Sequence, residues 1–151
     1  MVKYPESLDK LIESFKKYPG IGPKSAERLA FYTIQKLRKE EVKEFSNNLN
    51  NAIENIQQCK ICGMLTDRDI CEICSDNERQ KQLLIVENTK DAMAFEKTNS
   101  YNGKYQVLNG VISPLNGIGA DDLNLDIILE RIKKEDFQDV IIATSSTIDG
   151  E

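Results

Sequence analysis

The chain has 151 residues, 40% of them apolar, and a formal charge of −5, which suits one ordinary domain or two or three small modules in series. No run approaches the roughly 18 to 20 consecutive apolar residues of a membrane span, and MVKYPESLDK lacks the apolar centre of a secretory signal, so a soluble, cytoplasmic protein is expected. There is no His, which excludes His-based acid–base catalysis and Ser-His-Asp or Cys-His nucleophiles.

Residues 6 to 18 place Leu8, Leu11, Ile12 and Phe15 on one helical stripe, closed by Pro19-Gly20. A second helix is expected from about Pro23, a residue tolerated in a first turn, to about Leu37 through Ala26, Leu29 and Ala30. A third, from about Glu40 to Gln57, carries Val42, Phe45, Leu49, Ala52, Ile53 and Ile56 on one face.

Between the first two helices lies YPGIGPKSAERLA, Tyr18 to Ala30. It fails the dinucleotide pattern G-x-G-x-x-G, because position 25 is Ser and a helix precedes it, and it fails Walker A, because Pro23 precedes Lys24 and the glycine spacing is absent. What remains is a hairpin in which Gly20 and Gly22 permit positive φ and bare backbone N–H groups. These groups can face a phosphate at the N-terminus of the second helix, while Ile21 plugs the space between the helices. Lys24 and Arg28, one turn apart, would flank the same phosphate track, giving DNA contacts that read no base edge. This stretch resembles the helix-hairpin-helix motif of DNA repair and recombination proteins; the plain alternative is an αα turn that needs Pro and Gly only for shape.

From Cys59 to Cys74 the chain is polar and short of core residues, so hydrophobic burial alone is not expected to fold it. Cys59-Lys-Ile-Cys62 and Cys71-Glu-Ile-Cys74 are two CxxC knuckles eight residues apart, a spacing that closes a tetrahedral S₄ site for one structural Zn²⁺. Gly63 would turn the backbone N–H groups toward sulfur. The rival readings are a redox CxxC, which normally stands alone on a βα unit, disulfides, which are disfavoured in a reducing compartment, and an iron–sulfur cluster.

Beyond Gln82 the pattern changes to strand (LLIV, 83 to 86), helix (Asn88 to Lys97), strand (YQVL, 105 to 108), a Gly/Pro/Asn loop, helix (Leu123 to Lys134) and strand (DVIIAT, 139 to 144). That order predicts a small parallel sheet with crossover helices. Charge divides along the same lines: 10 Lys/Arg against 8 Asp/Glu in residues 1 to 58, 4 against 5 in 59 to 82, and 6 against 12 in 83 to 151. Imbalances of this size are also what an ordinary solvated surface shows. Glu87, after the first strand of the sheet, and Asp149 and Glu151, after the third, would share one edge, where an acidic cluster can hold Mg²⁺ or meet a basic partner. Scattered surface carboxylates are the plain alternative. The end at Glu151, soon after the third strand, is expected to mark a truncation or fragment of a longer parent.

In this order KYPGIGPKSAERLAFY, CKICGMLTDRDICEIC and LLIVENTKDAMAFE, with VLNGVISPLNGIGADDL and VIIATSSTIDGE, resemble the RecR family of bacterial recombination mediators over essentially all 151 residues. The resemblance implies an α+β multi-module chain. Residues 1–56 would form a helix-hairpin-helix three-helix segment, 57–78 a C4 zinc finger and 80–151 a Toprim-like α/β domain with an incomplete parallel sheet. It also implies a non-enzymatic DNA clamp that assembles as a homo-oligomer, a dimer or tetramer ring, and acts with RecO and RecF to load RecA on gapped DNA. Gly20, Gly22, Lys24 and Arg28 would then contact DNA, and the edge of Glu87, Asp149 and Glu151 would face a partner protein or metal. Two departures stand out. Catalytic Toprim modules use D-x-D where this chain has D-x-E at 149 to 151, and Ser145-Ser146 replaces the family's usual Asn-Pro before Thr147. The competing reading is an Mg²⁺-dependent Toprim nuclease or primase-like enzyme fragment using the acidic edge.

Overall fold

The computed structural model describes residues 4–110, 117, 119, 123 and 125–146, and divides into two compact units, Met1–Glu54 and Asn55–Glu151. The first is helical: α1 (Glu6–Lys16), α2 (Pro23–Lys36) and α3 (Lys39–Asn55). The stripe read from the sequence is the one α1 buries. Leu8 and Ile12 enter a small core with Ala26 and Ala30 of α2, ringed by Leu11, Phe15, Ile21 and Phe31. Ala26 and Ala30 are wholly buried; their small side chains let the α1 and α2 backbones approach closely. Leu37 at φ −81 and ψ 141 is extended and ends α2. The acidic side chains of Glu6 and Asp9 lie in the first turn of α1, the favourable end of its dipole.

The third helix differs from the other two, because none of its residues is buried. Its apolar stripe forms as the sequence predicts, yet Phe45, Leu49 and Ile53 stay 53%, 42% and 85% exposed.

The second unit opens with a two-residue antiparallel ladder, β1 (Gln57–Gln58) with β2 (Leu65–Thr66), and a single helical turn, α4 (Glu72–Ser75). There follow β3 (Gln82–Val86), α5 (Thr89–Thr98), β4 (Lys104–Val107), α6 (Leu125–Glu135) and β5 (Asp139–Ala143). The three longer strands form one parallel sheet in the order β4-β3-β5, with Leu84 opposite both Tyr105 and Ile141. Central β3 is apolar on both sides for a physical reason: both its faces are covered. Leu83 and Ile85 pack with Ile128 of α6, with Leu125, Ile132 and Phe137 around them. Leu84 and Val86 point the other way, into a core with Ala92 of α5 and Tyr105 and Val107 of β4. Asn88 caps α5 as its position suggests, its side chain accepting the Asp91 N–H at 3.1 Å. Edge strand β5 leaves Val140, Ile141 and Ile142 exposed.

The cysteine segment does not rest on its own few core residues. It does not stand apart from hydrophobic burial: all four cysteines, Met64 and Ile73 belong to the same core as Leu84, Val86, Tyr105 and Val107. Its first knuckle is also stitched to the sheet, since Val107 N–H donates to the Cys62 carbonyl at 2.7 Å and Asn109 Nδ2 to the Gly63 carbonyl at 2.8 Å. Two partly buried ion networks flank this core. Arg79 grips Glu96 with two nitrogens, each at 2.7 Å, and donates to the Gly103 carbonyl, while Tyr105 Oη donates to the same carboxylate. Arg131 donates to the Tyr105 carbonyl, to Gln106 Oε1 and to Glu135.

Candidate metal centre and nucleic-acid interface

The four cysteine sulfurs all lie within 4.8 Å of one another, and Cys62 and Cys71 Sγ are 3.6 Å apart. A tetrahedron with Zn–S of about 2.3 Å has S···S edges of roughly 3.8 Å, so the donor set fits the ion. Every ligand is buried. Backbone N–H groups are already aimed at sulfur: Cys71 N donates to Cys59 Sγ at 3.3 Å, Cys74 N to Cys71 Sγ at 3.4 Å, and Met64 N to the Cys62 sulfur. These donors stabilise thiolates. The turn at Gly63 brings the next N–H, that of Met64, to the Cys62 sulfur as the sequence suggests, while the Gly63 N–H itself goes to the Cys59 carbonyl at 2.9 Å. Gly63 matters through its shape. At φ +74 it sits where a Cβ would meet the Val107 carbonyl oxygen at 2.8 Å and Asn109 Nδ2 at 2.9 Å.

Packing four thiols together splits their protonation. Hydrogen bonds from Cys62 and Cys74 hold the Cys71 thiol well below the usual range, whereas hydrogen bonds to Cys71 and Cys74, with burial, push Cys62 up. A divalent cation resolves that frustration by letting all four ionise. With four protein ligands there is no open coordination position, so the zinc of this site is structural.

The hairpin is built at the end of α1. Tyr18 N–H donates to the Phe15 carbonyl and Ile21 N–H to the Tyr18 carbonyl, which reverses the chain through Gly20 at φ +79. Gly22, at φ −80, is extended and serves as the N-cap of α2, so the positive φ that both glycines permit is used at Gly20 and not at Gly22. Like Gly20 it has nothing within 4 Å of a Cβ position, so a side chain would meet no clash there and the backbone faces open space. Pro23 takes the first helical position, no side chain caps α2, and its first turn holds no acidic residue. The positive end of this helix dipole is therefore not neutralised by the helix itself. Ile21 packs into the α1–α2 core as the sequence suggests.

Lys24 and Arg28 project from α2 into solvent, and neither forms an ion pair among the described residues. Lys10 and Lys16 of α1 are matched to Glu6 and Glu13 on the same helix and Arg38, just before α3, to Glu41, whereas Lys17, Lys36, Lys39 and Lys43, like Lys24 and Arg28, have no ion pair among the described residues. Glu27, the acid nearest in sequence, is engaged by the Tyr4 hydroxyl.

At the carboxyl edge of the sheet, Glu87 follows β3 and accepts the Ser145 N–H just beyond β5, a bond that lowers its carboxyl below the ordinary range. It lines an open groove with Asn88, Asp91, Phe95 and Thr144. Asp91 belongs to no motif in the sequence; a carboxylate four residues after Glu87, in the first turn of the following helix, is the signal that could have found it. Asp149, Glu151 and Thr147 lie outside the described residues, so Glu87 is the member of the expected acidic edge that the structure places.

Comparison with known proteins follows the same three segments. The helix-hairpin-helix model of RecR matches residues 8–53, the four-cysteine zinc-finger model of RecR residues 56–76 and the Toprim domain model residues 81–151. The chain is 48% identical over 151 residues to recombination protein RecR of Latilactobacillus sakei, covering 99% of this chain and 76% of that one. It is 49% identical over 149 residues to the protein of that name from Streptococcus uberis and 51% over 150 residues to that from Streptococcus mutans, each alignment covering 98% of this chain and 75% of the relative.

Proposed function

The chain belongs to the RecR family of recombination proteins, and from that premise we propose that it is a non-catalytic, sequence-independent DNA-binding mediator. The observation that carries the reading is the bare hairpin: an uncapped helix N-terminus at Gly22, reached through left-handed Gly20 and flanked by solvent-exposed Lys24 and Arg28 with no ion-pair partner among the described residues. Backbone N–H groups with two flanking cations hold phosphate oxygens and leave base edges unread. Each neutralised phosphate releases counterions, so affinity falls steeply with salt. Fluorescence anisotropy with labelled DNA tests this at low salt. Lys24→Ala with Arg28→Ala should weaken binding and flatten its salt dependence; unchanged affinity rejects the phosphate role.

Two surfaces support assembly and partners. The exposed apolar stripe of α3, Phe45, Leu49 and Ile53, suits a second copy of this chain, which supports a homo-oligomer, dimer or tetramer ring. The acidic groove at Glu87 and Asp91 suits a basic surface, here assigned to RecO or RecF in loading RecA on gapped DNA. The competing reading, an Mg²⁺-dependent nuclease or primase, draws on the same carboxylates. DNA cleavage in Mg²⁺ that Glu87→Gln abolishes would establish it; intact DNA with binding retained supports the mediator.

A further inference from the structure

The sequence of α2 continues past Arg28 in register. Lys24, Arg28 and Tyr32 are spaced four residues apart, so they form one slanting row along the helix that starts at its N-terminus, each step rising about 6 Å. All three are exposed, Tyr32 by 57%. Neither the ring nor the hydroxyl of Tyr32 has a partner among the described residues. That sets it apart from Tyr4, on α1's side of the same unit, whose ring meets Phe31 edge-on and whose hydroxyl is taken by Glu27. Leaving a ring this size in water forgoes the stabilisation that burial of a large aromatic brings, and nothing in the core of this unit uses it. The row reads cation, cation, aromatic.

We propose that Tyr32 stacks on an unpaired base of the strand whose phosphates Lys24 and Arg28 hold, which gives the hairpin a preference for single-stranded over duplex DNA. The inference rests on the DNA-binding reading above and adds the substrate form. A phosphate track alone gives no preference for the single strand, because it touches only the backbone and the duplex carries the denser charge. An aromatic platform one helical turn beyond the last cation can be used only by a base free to leave its neighbours, since the faces of duplex bases are already covered by stacking. Every base has a π-face, so the preference is for strandedness and remains blind to sequence.

Ile34 supplies an internal control: it is exposed to the same degree, 58%, but sits about 200° around the helix from Tyr32. The test uses fluorescence anisotropy of the whole chain with three probes at low salt: a short oligothymidylate, the same strand with its central bases replaced by abasic sites, and a blunt duplex. Tyr32→Ala should weaken oligothymidylate binding by about tenfold, leave duplex binding unchanged and erase the difference between the intact and abasic strands. Tyr32→Phe, which keeps the ring, should behave as wild type, and Ile34→Ala should change nothing. Wild-type protein that binds intact and abasic strands equally overturns the stacking role, as does Tyr32→Ala that loses all three probes in parallel. If Lys24→Ala with Arg28→Ala leaves every probe bound as before, the phosphate track itself has failed. That result is distinguishable, because base sensitivity at Tyr32 is read from the abasic strand and not from charge.

Discussion

The two units of this chain place their charges in different ways. In the helical unit the cations that matter stand in water, beside a core of two large side chains and two alanines. The sheet unit has exposed pairs too, such as Lys60–Asp69, but it also draws charges inward: Arg79 on Glu96, Arg131 on Gln106 and Glu135, and four cysteines sharing a core with Tyr105 and Val107. An exposed cation costs little to keep and little to remove, so it is free to serve a ligand. A buried one must be held by its partners, and its removal is felt as lost stability. The contrast predicts that substitutions in the first unit change binding and those in the second change folding.

Removing zinc should expose that division most strongly. Cys71→Ser, or a strong chelator, should release the metal and collapse the sheet unit, because the ligands are also core residues; helical signals from residues 6–36 should persist in an NMR spectrum. Equimolar zinc retained in Cys71→Ser would break the comparison at its base. Next in size, Glu96→Gln leaves the Arg79 guanidinium partly unpaired at 13% exposure and should cost about 3 kcal/mol by chemical denaturation, without altering DNA affinity.

The same pair gives a pH signature. Arg79 holds the Glu96 carboxyl below its usual range, so the pair stabilises the folded state in full above about pH 4.3, the unfolded value, and that contribution is lost as pH falls through the lowered folded value. The stability gap between wild type and Glu96→Gln should therefore narrow below pH 4.3 or so; a gap constant with pH would mean that charge is not its source. Smallest in stability is Lys24→Ala with Arg28→Ala, expected within about 0.5 kcal/mol of wild type although DNA affinity drops. A large fall in melting temperature for that pair would erase the distinction between the units.

Local patterns carried much of this architecture into the sequence. The i, i+3, i+4 stripe of α1, the paired CxxC knuckles and the apolar run of β3 each report a short-range constraint, and each element lies where its pattern places it. Contacts across long loops left no such trace. Nothing in the period of the chain couples Arg79 to Glu96, 17 residues away, or Cys62 to Gln106, 44 residues away. The packing of the cysteine segment is illegible in the sequence for a related reason: Met64 and Ile73 are too few to look like a core until Tyr105 and Val107 are brought against them. Gly22 shows a third kind of gap. Glycine in a hairpin suggests a left-handed turn, yet here an open N-cap is what it provides, and only φ distinguishes the two.

The hydrogen bond from Val107 N–H to the Cys62 carbonyl has a consequence for the protein's life in a crowded cell. β4 is one of the two outer strands of the sheet, and an outer strand with unclaimed amides is a template on which another chain can build. At Val107 the metal loop claims one of those amides. Loss of zinc should free it and leave the end of β4 open to another chain.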